Sequence, residues 1–244
     1  MSESLILEAE KTLGENIKEA LLPENVSFFG AGVNPSFYTA LITTAVLLLF
    51  ALIIRIFVIP KFTTVPGKFQ ALLEKACEFF ENMGKENSPE AYNFIGAYAF
   101  SAAAFIGLGT LAELLGLRAV MADINACLAV AITSFSLILG AGIKTNRFRG
   151  FLGVMKDFSL PLSMSFRLFG SMLSGLMVTE LIYQFLALSI ILPAIVGLVF
   201  TVFHAVLQAY IFSLLTSMFY GEAMEKSPAK KNKKKQPELQ TNHQ

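Results

Sequence analysis

Charge is what this sequence has least of: Asp, Glu, Lys and Arg make up 15% of its 244 residues, against 55% hydrophobic. Soluble domains carry roughly 25% charged residues, so these proportions point to a membrane protein rather than a cytosolic one. Cysteine occurs only at Cys77, in a polar stretch, and Cys127, in an apolar run. A disulfide between them would join different depths, so both are read as free thiols. No Cys and His set has zinc spacing, and there is no glycine-rich phosphate loop or nucleophile elbow; nothing marks a hydrolase or a nucleotide-binding protein. An intramembrane enzyme would need a nucleophile with its base, or a ligand set, at one depth, and the carboxylates are scattered. A signal peptide is not expected either, because the start is acidic and amphipathic, with Glu3, Glu8, Glu10, Glu15 and Glu19 around Leu5, Ile6, Leu7 and Leu13.

What the sequence has in abundance is long apolar runs. A spanning helix takes about 20 residues, since the hydrocarbon core is roughly 30 Å thick and each residue rises about 1.5 Å. Five stretches qualify: 37–59, 91–117, 120–143, 158–191 and 193–220. The expected fold is therefore all-α, a polytopic membrane protein of about five transmembrane helices. The last two stretches are near 30 residues each, about 45 Å as straight helices, and are expected to form a long tilted hairpin. Residues Phe69 to Met83 read as an amphipathic helix at the interface. Three domains follow: an amphipathic N-terminal segment 1–36, a membrane domain 37–220, and a tail 221–244 that is expected to be disordered, because it is lysine-rich with little to bury.

Orientation follows from the basic loops. Lys61, Lys68 and Lys75 follow the first span, and Lys144, Arg147, Arg149 and Lys156 follow the third, so these loops and the lysine tail are expected in the cytoplasm. The acidic N-terminus then faces out. A basic tail beside a span is explained by topology and anionic lipid, and nucleic acid is not expected as a partner.

Arg167 lies about nine residues into the fourth span, roughly 14 Å along the helix. A guanidinium at such depth must face protein or water, and because it keeps its proton it can act only as a fixed positive charge. Glu113, Asp123, Asn125 and Glu180 gather in the outer half, and His204 and Gln208, four residues apart, share a helix face. Together they suggest a polar route for a small cation from the outer surface to Arg167. Inward of it come only hydroxyls: Ser159, Ser163, Ser165, Ser213 and Thr216. Ser171, Ser174 and Gly175 are read first as helix-packing residues. No carboxylate lies at the level of Arg167, so a partner is expected to supply one. A self-contained secondary transporter should show two related halves, and no such repeat is present.

The string LPLSMSFRLFG at 160–170 and LQAYIF at 207–212 resemble subunit a of the F-type ATP synthase, as do VPGKFQ at 65–70, ELLGL at 113–117 and ADINACLAVAI at 122–132. The resemblance implies a non-catalytic stator subunit in a bacterial cell membrane, with two offset aqueous half-channels beside a rotating c-subunit ring that carries the missing carboxylate. It implies the ring, the peripheral-stalk b subunits and the rest of the synthase as partners, with membrane lipid around them. The transported ion is expected to be H+, with Na+ possible, and no cofactor is expected in this chain. Arg167 matches the essential arginine and Gln208 the glutamine opposite it. The chain departs from the family pattern at Ser171, where Asn is common, at Leu176, where a glutamate is common, and at Glu113, where Asn is usual; Glu180, one turn beyond Leu176, is placed to take over the glutamate's role.

Overall fold

The computed structural model describes residues 18, 26–28, 31–63, 67–146, 148–156, 158–185 and 191–225. Most of the acidic N-terminal segment and nearly all of the basic tail lie outside the described residues. The helices among them are α1 (Pro35–Ile53), α2 (Lys68–Asn87), α3 (Tyr92–Leu111), α4 (Ile124–Asn146), α5 (Phe148–Lys156), α6 (Ser159–Phe185) and α7 (Ile191–Met224). One small hairpin, β1 (Val26–Phe28) and β2 (Ala31–Val33), precedes α1 with Val26 opposite Val33. The all-α, polytopic expectation holds for the membrane part. Four helical stretches among the described residues are long and apolar enough to cross a bilayer: Pro35–Lys61, Tyr92–Leu115, Ile124–Asn146 and Ile195–Met224. With its 27 residues α6 brings the number to about five.

Local chemistry accounts for where the elements begin and end. Asn34 caps α1 by accepting from Ser36 N at 3.0 Å, with Pro35 in the first turn, and α1 runs on through a π-helical turn and a 3-10 turn to Lys61. A 3-10 turn after α3, Ala112–Leu115, ends at Gly116, whose φ of 78° is left-handed and suits glycine. The third span begins later than the sequence suggests, at Ile124, because Asp123 stops the preceding 3-10 turn and caps α4: its Oδ1 accepts from Asn125 N at 2.9 Å. In the basic loop after α4 the structure has a nine-residue helix, α5, that was not expected.

The core lies where α3, α4, α6 and α7 meet. Ile106, Val120, Met121, Cys127, Leu168 and Phe212 are fully buried there, and Ile95, Phe135, Ile138 and Tyr220 form a second cluster. Glycine sets the closest helix approaches: a Cβ on Gly84 would come within 2.8 Å of the Tyr92 carbonyl oxygen, and one on Gly96 within 3.1 Å of the Phe80 carbonyl oxygen. These two positions let α2 fold back along α3. By contrast, α1 buries only the polar Ser36, Thr39 and Thr43, with Ser36 Oγ donating to the Ala119 carbonyl at 3.2 Å, and leaves its leucines, isoleucines and phenylalanines outward. A soluble helix has the reverse pattern; here lipid is the solvent.

At about 1.5 Å per residue, the 34 residues of α7 measure about 51 Å and the 27 of α6 about 40 Å. Both exceed the hydrocarbon thickness, so they must lie at an angle or project from it.

Candidate functional site

Arg167 is an exposed residue of α6. It shares its outward face with Leu162, Ser163, Phe166, Gly170 and Ser174, a run at helical spacing, while Met164, Ser165, Leu168 and Met172 turn to the core. The same helix thus has one face built for this chain and another, bearing the cation, directed away from it.

One turn beyond Arg167, Ser171 leaves that outward face and meets α7. Its hydroxyl lies 2.9 Å from the Leu168 carbonyl and 3.2 Å from Oε1 of Gln208. Gln208 is buried at 6% exposure, and its Nε2 has no hydrogen-bond partner within the described residues. A buried amide N–H without a partner is costly, so this atom is suited to a water or to an approaching acceptor. Gln208 thus adjoins Ser171 directly, and Arg167 lies one helical turn from Ser171 along α6.

On the other side of Ser171 a small cavity opens. It is lined by Glu113, Ser171, Met172, Gly175, Phe200, Thr201 and His204. Glu113 reaches it from the 3-10 turn after α3, where the Thr201 hydroxyl is within hydrogen-bonding reach of its carboxylate and His204 is near enough to interact with it electrostatically. His204 is held in place by a 3.0 Å contact from Nδ1 to the Phe200 carbonyl and by the rings of Phe200 and Phe203. The absence of a side chain at Gly175 leaves room beside the imidazole: a Cβ there would lie 3.9 Å from His204 Cε1.

The structure therefore brings together Glu113, His204, Ser171, Gly175 and Gln208. It does not bring Asp123 and Asn125 to them: Asp123 caps α4, and Asn125 is exposed on that helix's first turn. Beside them burial pulls the Arg118 guanidinium below its usual range, an effect that the Asp123 charge opposes. Ser174 lies on the outward Arg167 face rather than in the cavity. Glu180 belongs to α6, but its side chain lies outside the described residues. Of the inner hydroxyls, Ser165, Ser213 and Thr216 are buried and donate to the carbonyls of Pro161, Ala99 and Phe212 at 2.6, 3.0 and 2.9 Å, which is how hydroxyls join or relieve apolar helices.

Sequence reasoning did not single out Thr201. The signal was present in the spacing, because Thr201, His204 and Gln208 stand at i, i+3 and i+7 and so share one face of α7. A lone threonine in an apolar helix is ordinary, however, and only the approach of Glu113 makes it noteworthy.

The sequence model of the family described as ATP synthase A chain matches residues 37–221, from the first turn of α1 almost to the end of α7. The chain belongs to that family. Among its relatives, the ATP synthase subunit a of Histophilus somni (strain 2336) is 30% identical over 211 residues, covering 67% of this chain and 78% of that one. The subunit a of Haemophilus influenzae (strain PittEE) is 29% identical over 256 residues, covering 84% of this chain and 96% of that one. That of Haemophilus ducreyi is 30% identical over 211 residues, 68% and 79%. Members of the ATP synthase A chain family are non-catalytic membrane subunits of the synthase, and the membrane-spanning helices of this chain agree with that place.

Proposed function

We propose that this chain carries protons through the membrane sector of an F-type ATP synthase and couples their flow to rotation of a c-subunit ring. The observation that carries the reading is the polar run from the Glu113, Thr201 and His204 cavity, across Ser171 and Gln208, to one helical turn from Arg167. Protons enter from the outer side at Glu113 and His204, both able to take up and release a proton, and reach the level of Gln208. There a ring carboxylate arriving against the outward α6 face is neutralised. Arg167 keeps its own proton and stands as a fixed charge between the outer and inner half-channels, so a proton cannot cross without the ring turning. The small Gly170 and Ser174 on either side of the arginine's face fit close approach by ring helices.

This chain needs no bound cofactor for that task. Peripheral-stalk b subunits complete the stator, the N-terminal segment faces outward and the lysine tail lies in the cytoplasm of a bacterial cell, following the basic loops. Each charge that crosses is worth about 2.3 kcal/mol per 100 mV, so a ring is required to accumulate several crossings before a demanding reaction can be driven.

The test is ATP-driven proton uptake by vesicles carrying the assembled complex. Glu113→Gln and His204→Ala should each lower uptake by about a hundredfold or more, the range set by loss of a proton-transfer group. Native uptake in both variants would remove the outer route described here.

A further inference from the structure

Nothing in the sequence or in the family relationship assigns a task to Thr201, yet it stands where α7 and the turn after α3 meet in the cavity. Glu113 enters from a short 3-10 turn, Ala112–Leu115, that ends at a left-handed glycine, and a carboxylate on such a turn has several directions open to it. Three features of α7 and α6 limit those directions. The Thr201 hydroxyl reaches the Glu113 carboxylate; His204, one turn further along the same face, supplies the electrostatic partner; and Gly175 leaves the space between them and Ser171 unfilled.

We infer that Thr201 is a positioning residue for proton entry: its hydroxyl donates to the Glu113 carboxylate and holds it facing His204 across the space left by Gly175. The inference rests on the outer route proposed above. No bond is made or broken at Thr201. It needs only its single O–H donor, and β-branching restricts the χ1 that aims it. The groups facing Glu113 are Thr201 and His204 from α7, with Ser171 the polar neighbour from α6. A hydroxyl donating to a carboxylate changes that carboxylate's proton affinity as well as its direction, so the residue should influence both the rate of proton entry and its dependence on pH.

The experiment compares ATP-driven proton uptake, in which the Glu113 route opens to the vesicle lumen, across a range of lumenal pH in vesicles carrying the complete complex, with assembly confirmed for each variant. Thr201→Val keeps the shape and removes the donor, Thr201→Ser keeps the donor and removes a methyl group, and Thr201→Ala serves if the valine variant does not assemble. Expected are uptake about tenfold slower and a displaced pH profile for Thr201→Val, the scale of one lost charge-assisted hydrogen bond, with rate and profile both restored in Thr201→Ser. Native uptake in Thr201→Val, slower uptake with an unmoved profile, or a serine variant as slow as the valine one would each overturn the inference. Glu113→Gln in the same vesicles separates the two levels: if it loses uptake while Thr201→Val does not, the outer route stands and the role of Thr201 falls.

Discussion

Asp123 illustrates at the residue scale why polar groups at membrane depth cannot all be given to transport. Its carboxylate has a structural task, accepting from Asn125 N at the start of α4, which an asparagine could perform equally well. Asp123→Asn should therefore leave proton uptake and thermal stability close to native, while Asp123→Ala should cost about 1 kcal/mol of stability, the usual value of a helix cap. Melting of the detergent-purified complex, read beside uptake, checks both. Gly175 makes the opposite case. A leucine there would fill the space beside His204, where even a Cβ would already lie 3.9 Å from the ring. Gly175→Leu should block proton uptake with assembly retained, and native uptake in that variant would show that the cavity carries no protons.

At the element scale, the helices that were easiest to anticipate are those that only a bilayer would tolerate. The run from Leu41 to Ile53 is apolar on nearly every side, and in the structure α1 buries only Ser36, Thr39 and Thr43. The amphipathic stretch after Gly67 was legible for a similar reason, the segregation of Glu74, Glu78 and Glu81 from Leu73, Phe80 and Met83. Helix α5 was not, because nine residues that include Arg149 and Lys156, just after Arg147, resemble a basic loop until Val154 is seen packed against the core cluster of α4 and α7. Glycine contacts were illegible too, since nothing in a sequence says which glycine faces another helix. Gly96→Leu should force α2 away from α3 and lower the stability of the complex by about 1–3 kcal/mol, the usual cost of overpacking, measurable as earlier melting in detergent. A native melting curve would mean that the contact between α2 and α3 contributes little.

At the scale of the whole molecule, the described polar residues of the last two spans and Glu113 fall into three groups with different neighbours. Ser165, Ser213 and Thr216 are buried and satisfied by backbone carbonyls; Glu113, Thr201, His204 and Ser171 line a cavity, with Gln208 bonded to Ser171; Arg167 is exposed on a face directed away from the chain. Spacing along a helix, which a sequence does provide, put Thr201, His204 and Gln208 on one face of α7. Direction around the helix, on which the division depends, is settled only by packing, and so the cap at Asp123, the hydroxyl at Thr201 and the outward turn of Arg167 had to be seen. The third group bears most directly on coupling. On the function proposed above, a fixed cation between two half-channels would prevent leakage and make rotation obligatory; without it, the same cavity would be only a polar dent in a membrane helix bundle.

The most direct measurement is proton flow through the assembled complex in vesicles, comparing the native chain with Arg167→Ala at matched expression and with association of the ring confirmed. Loss of coupled pumping with assembly intact is the expected result. Unchanged coupled pumping would contradict the role of Arg167 as the fixed charge that separates the half-channels.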